Sequence, residues 1–110
     1  MNIHIFGSSK SFDSKKAERY FKERNIRVQY IDMKRYGISR GELQSVRNAV
    51  GLEKLIDPKS EEAVMLRYLS SDDVRFEKLF ENQSWIVLPI VRNGKSATVG
   101  YCPEIWKEWK

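Results

Sequence analysis

One cysteine, one histidine and three prolines are all that 110 residues supply of the residue types that most often build redox, metal and sharply turned sites. Cys102 alone excludes an intramolecular disulfide and a cysteine-based zinc site. His4 stands alone, and no histidine–carboxylate cluster has ligand spacing, so neither metal nor cofactor is expected. No apolar run approaches the roughly 18 residues of a membrane span, and the N-terminus lacks a basic-then-apolar leader pattern. A cytoplasmic, membrane-free monomer is therefore the expectation. Zinc-finger spacing, an RNP-like strand and interleaved aromatic and basic residues are missing too, which argues against direct nucleic-acid binding. Internal repeats, linkers and low-complexity stretches are also absent, so residues 1–110 read as one domain with a single core.

What is present begins with a strand, a short serine loop and a basic helix. Ile3, Ile5 and Phe6 supply the strand, and Gly7 punctuates it. After Ser8-Ser9-Lys10-Ser11, the apolar positions Ala17, Tyr20 and Phe21 fall at i, i+3 and i+4 of a helix over about 14–25, with Ser11 or Asp13 as its N-cap. A strand that runs straight into a helix N-terminus aims backbone N–H groups and a positive dipole end at whatever occupies the loop.

Residues 27–31 read as a second strand, parallel to the first across that helix. Ser39-x-x-Glu42 is a capping box ahead of Leu43, Val46, Ala49 and Val50, with Gly51 just past the end, which predicts a helix over 40–50. Asp57-Pro58 suits a cap with proline at the first helical position, followed by a stripe of Ala63, Leu66 and Leu69. Ser71-Asp72-Asp73 caps a further helix that buries Phe76, Leu79 and Phe80. Trp85 to Val91 is a near-continuous apolar run and predicts a strand buried on both faces. Asn93-Gly94 favours a tight hairpin that returns through Ala97, Val99 and Tyr101, and Pro103 opens a last helix with Ile105, Trp106 and Trp109. Trp85, Trp106 and Trp109 are read as packing residues.

Three segments in order carry a family resemblance. Ile5-Phe6-Gly7, a four-residue loop, Phe12-Asp13-Ser14 and Tyr20-Phe21 resemble the opening of the arsenate reductase (ArsC) and Spx family, a branch of the thioredoxin fold. Gly51 to Ser60 is similar to the family's central segment, and Leu88-Pro89, Asn93-Gly94 and Val99-Gly100-Tyr101 to its closing strand, hairpin and ending. The resemblance implies an α/β, thioredoxin-like, four-stranded mixed sheet with flanking helices and a helical insert over about 39–82. It also implies a cis-proline at Pro89 beside the loop, although proline argues against a central strand.

The departures from the family pattern bear on chemistry. Ser11 stands at the family's nucleophilic cysteine and Ser14 at the second cysteine; Lys59 replaces an arginine and Leu88 another. A thiol is acidified by a helix N-terminus and nearby cations, whereas a serine hydroxyl needs a general base. His4 lies within a strand and does not offer one. Lys59 also forfeits the bidentate geometry of an arginine. Redox catalysis is therefore not expected, and no residue is assigned as catalytic. A reactive Cys102, placed about 10 Å from the loop if the fourth strand runs parallel to the first with one strand between, is the residual route to a thiol activity.

Charge adds a partner hypothesis. Residues 10–40 hold ten basic and four acidic side chains, a balance of +6 that leaves −1 for the rest of a chain at +5. Lys15, Arg19 and Lys22 fall at i, i+4 and i+7 along one side of the first helix and are candidate partner contacts. Three function classes follow. One is a non-redox regulator which, as the Spx resemblance implies, contacts a protein such as the RNA polymerase alpha C-terminal domain. The second is an arsenate reductase-like or glutathione-dependent oxidoreductase. The third is a small-oxyanion-binding domain using Ser11, Ser14, Lys15 and Lys59.

Overall fold

Strand β1 (Ile3–Gly7) forms at the centre of the sheet because its apolar residues serve both faces: Ile3 and Ile5 are fully buried on one side and Phe6 on the other. The computed structural model describes residues 1–109. Around β1 the sheet has the order β2-β1-β3-β4, with β2 spanning Val28–Asp32, β3 Ile90–Asn93 and β4 Ser96–Val99. β2 is parallel to β1, while β3 is antiparallel to both β1 and β4. β4 therefore points the same way as β1, and their C-terminal ends share one edge of the sheet. This is the mixed, thioredoxin-like sheet that the resemblance implies.

Helix α1 (Phe12–Glu23) makes the crossover from β1 to β2. It buries Ala17, Tyr20 and Phe21 against Ile3, Ile5, Val91 and Trp106. The helix begins two residues before the expected position because Ser11, rather than Asp13, is the N-cap. It ends two residues earlier, at Glu23: just beyond its cap Asn25 has a φ of 57°, the left-handed conformation that asparagine tolerates, and the Ile26 N–H bonds back to the Phe21 carbonyl at 2.9 Å.

The opposite face is covered by the segment between β2 and β3. Helix α2 (Arg40–Val50) starts with the reciprocal Ser39–Glu42 capping box and buries Leu43 and Val46. Short α3 (Leu52–Leu55), α4 (Glu61–Val64) and α5 (Asp72–Glu81) add Leu55, Ala63, Phe76 and Leu79 to a core that Phe6 and Ile90 share from the sheet.

Two expectations are corrected here. Asp57-Pro58 does not open a helix: the Asp57 carboxylate accepts the Lys59 N–H at 2.9 Å in a turn, and α4 starts only after Ser60, whose hydroxyl accepts the Ala63 N–H. Ser60 is placed to satisfy a free helical amide and so sets the start. After α4 a 3₁₀ turn (Met65–Tyr68) takes over, and its three-residue period still brings Leu66 onto the core behind Ala63.

The run from Trp85 to Val91 is likewise not one strand. Trp85 ends a 3₁₀ turn (Gln83–Trp85), Ile86 makes a single bridge to Ile56, and Val87 N–H donates to the Leu55 carbonyl at 2.9 Å. This part pairs with the insert rather than with the sheet. Pro89 has no N–H to give a ladder, so β3 starts at Ile90. The final helix is also short: α6 covers Pro103–Trp106, and Trp109 follows it in a turn.

Candidate functional site

The loop Ser8–Ser11 leaves the C-terminal end of β1 and enters α1 at the edge of the sheet that also receives the chain after β4. Ser11 sits in extended conformation and its Oγ accepts the Ser14 N–H at 3.1 Å, while its own N–H donates to the Ser8 carbonyl at 3.0 Å. Phe12 and Asp13, the first two helical residues, have no intrahelical acceptor for their N–H groups by the geometry of a helix start. The positive end of α1 thus faces a cleft of about 660 Å³.

Ser11, Lys10 and Lys59 line this cleft together with Asp57, Ser84 and Leu88. Its continuation on the far side of Ser8 and Lys10 takes in Met33, Lys34 and Gln83. The Leu88–Pro89 peptide bond is cis and lies on the wall facing the loop. Of the four anion-binding candidates, the structure brings Ser11 and Lys59 together and leaves Ser14 and Lys15 elsewhere. Ser14 is fully buried beneath the loop, where its hydroxyl accepts the Ser8 N–H at 3.3 Å and lies with the Tyr30 hydroxyl against Gly7. Lys15 turns outward and places its ammonium 5.9 Å from the ring centre of Phe12. Lys10 is the lining cation that sequence reasoning passes over; its place directly before the cap was the available signal.

Electrostatically the cleft holds both signs, with Lys10 and Lys59 facing Asp13 and Asp57. Among the described residues, the hydrogen bond made by Ser11 Oγ is the one it accepts from the Ser14 N–H, and no general base is hydrogen-bonded to it. His4 lies in mid-strand, paired in register with Gln29 and Arg92, about 10 Å of extended chain before Gly7.

Cys102 is the one thiol, at the C-terminal end of β4 just before α6. Its Sγ donates to the Val99 carbonyl at 3.3 Å. Burial pushes its pKa up, aided by the charge of Glu104 and opposed by Lys54. The thiol is thus held protonated, the reverse of what a nucleophilic cysteine needs. Burial likewise raises the Tyr30 pKa, followed by the charges of Glu18 and Asp32.

The partner-contact candidates Lys15, Arg19 and Lys22 are all exposed on α1. Among the described residues, the five ion pairs are Arg40–Glu77, Arg47–Asp73, Arg67–Glu53, Arg75–Asp72 and Arg92–Glu42. None involves α1, whose cations carry no carboxylate partner even where Glu18 and Lys22 stand at i, i+4.

No family model and no curated protein matches the chain. Solved structures do. An arsenate reductase from Vibrio cholerae superposes with a TM-score of 0.84 at 24% identity, covering 98% of this chain and 97% of that one. A putative ArsC family related protein from Bacteroides fragilis gives 0.83 at 20% identity over 100% and 98%. A putative arsenate reductase from Yersinia pestis gives 0.83 at 18% identity over 98% and 100%. The chain therefore shares the thioredoxin-like fold of the arsenate reductase type over its length.

Proposed function

We propose that this chain is a binding or regulatory protein on the arsenate reductase fold that works without redox catalysis, in the manner of the Spx branch, through contact with another protein. The observation that carries this reading is the state of the hydroxyls and the thiol around the loop. Ser11 spends its oxygen on the α1 cap, Ser14 is buried under the loop, and the lone Cys102 is kept protonated. A reductase of this fold requires an ionised thiol at the helix start, and the site offers a hydroxyl that is hydrogen-bonded to a backbone amide rather than to a general base. What remains exposed is a basic helix whose cations form no ion pair among the described residues, which suits an acidic protein surface. Following the resemblance, the RNA polymerase alpha C-terminal domain is the first partner to test.

A second reading is favoured by one observation: Lys10, Lys59 and the free amides of α1 converge on a single cleft. That arrangement suits a small oxyanion held without reaction.

An NMR titration of the labelled protein separates these readings. Perturbation along α1 on adding the alpha C-terminal domain, with silence toward sulfate, arsenate and glutathione, is the expected result. Shifts confined to residues 8–14 and Lys59 on adding sulfate or arsenate select the oxyanion reading. Reduction of arsenate coupled to glutathione by the wild-type chain would overturn the non-redox reading outright.

A further inference from the structure

α1 has a second concave side, away from the serine loop. Lys16, Arg19, Glu23 and Arg24 form one wall of a groove of about 450 Å³, and Tyr101 with Pro103, from the turn that joins β4 to α6, form the other. We propose that this groove receives an acidic segment of a partner polypeptide; the inference rests on the binding reading above and names the chemistry of that partner.

Arg24 supplies the first argument. Its guanidinium lies 3.6 Å from the ring centre of Tyr20, and Nη1 donates to the Tyr20 carbonyl at 2.9 Å. The chain itself thus fixes this cation in place while giving it no carboxylate, so an incoming acid meets a donor whose side-chain freedom is already spent. Tyr101 supplies the second. Its ring stands edge-on to Trp106 with centroids 5.5 Å apart, and Trp106 is 98% buried, being 2% exposed. The far wall is therefore rigid. Lys16 reaches over this ring at 5.7 Å and carries its charge across the top of the groove.

Dimensions agree with an extended occupant. Lys16 and Arg24 are two helical turns apart, about 12 Å at the α-helical rise, which is the length of three to four residues of extended chain at roughly 3.3 Å each. Three cations against one lining acid, Glu23, set the sign of the occupant. A nucleic acid suits the groove less well. Tyr101 is the one exposed aromatic ring in its lining, too few for a run of stacked bases, and Glu23 would sit against a phosphate chain.

The test uses a short glutamate-rich peptide and, in parallel, a double-stranded DNA oligonucleotide, each titrated into the labelled full chain. Amide shifts at Lys16, Arg19, Arg24 and Tyr101 on adding the peptide are expected. The K16E/R24E variant should bind it at least about tenfold more weakly, while K78E/K95E, which makes the same charge change on exposed positions elsewhere, should stay within about threefold. Thermal melts establish that both variants fold. An equal loss in the two variants would reduce the effect to bulk charge and overturn the groove, as would no peptide binding or tighter DNA binding at the same residues. Arsenate turnover by the wild type is read separately, so failure of the non-redox reading and failure of the groove give different results.

Discussion

Gly7 ends β1 where two side chains crowd the backbone from beneath. A Cβ added there would stand 2.7 Å from the Tyr30 hydroxyl and 2.8 Å from Ser14 Oγ. Because Ser14 is fully buried and its hydroxyl accepts the Ser8 N–H, it does not yield freely. Gly7→Ala should therefore lower unfolding free energy by about 1–3 kcal/mol, read from denaturant midpoints; an unchanged midpoint would show that these contacts relax at no cost. Thr98 makes a similar case, where its Oγ1 accepts the buried Trp106 indole N–H at 2.7 Å. Thr98→Val keeps the shape and removes the acceptor, so it should cost about 1–3 kcal/mol by the same measurement. A stabilised Thr98→Val protein would mean that the indole finds another partner. Both positions were silent in the sequence: a glycine after a strand and a threonine within one carry no mark of what packs against them.

At the scale of elements, the start of α1 decides the chemistry. The cap geometry that uses up Ser11 Oγ is the geometry that would stabilise a thiolate, since the Ser14 N–H and the helix dipole both favour negative charge there. In the background C102A, which leaves a single thiol, Ser11→Cys should ionise below the ~8.5 of a free cysteine. The rate of iodoacetamide alkylation against pH reads this directly, and a value at or above the free one would show that the loop lacks the activating geometry. The helices were legible to different degrees for a physical reason. Helix α2 carries its capping box and apolar stripe in one continuous stretch, and its bounds follow from residues 39–51 alone. The segment from 85 to 91 offers apolar residues without a period, and its pairing with Leu55 and Ile56 is made by residues thirty positions away.

The molecule as a whole sets the response to pH. Tyr30 and Cys102 both hold their protons more tightly when folded, burial being the largest cause for each. The folded state therefore binds more protons than the unfolded one once unfolded thiol and phenol begin to ionise. Stability should be unaffected near neutrality and should fall as pH rises from about 8.5 through about 10. Urea unfolding midpoints across that range should show the decline, with a shallower slope in Tyr30→Phe and Cys102→Ala; a flat or rising profile would contradict it. Charge is also a property at this scale. The ion pairs gather on the insert and β3, which leaves α1 electrostatically unanswered. Among the described residues no helix is long and apolar enough to cross a membrane.

By itself the sequence determined the succession of the strands and of the longer helices, the strand–loop–helix that carries the serines, and the concentration of positive charge in residues 10–40, because hydrophobic period, caps and charge are local properties of the chain. The mixed four-stranded sheet was reached through the family resemblance of three spaced segments. Only the tertiary structure decided which of the candidate side chains share a cleft. Ser11 and Lys59 line one cleft, together with Lys10, because the loop and the Asp57 turn arrive at one sheet edge; Ser14 is buried under the loop beside Tyr30 from a different strand; and Lys15 and Arg19, four residues apart on one helix, open onto different surroundings because α6 folds back against only part of α1. Contacts between residues distant in the chain depend on how layers pack, and that information is not present in any one segment.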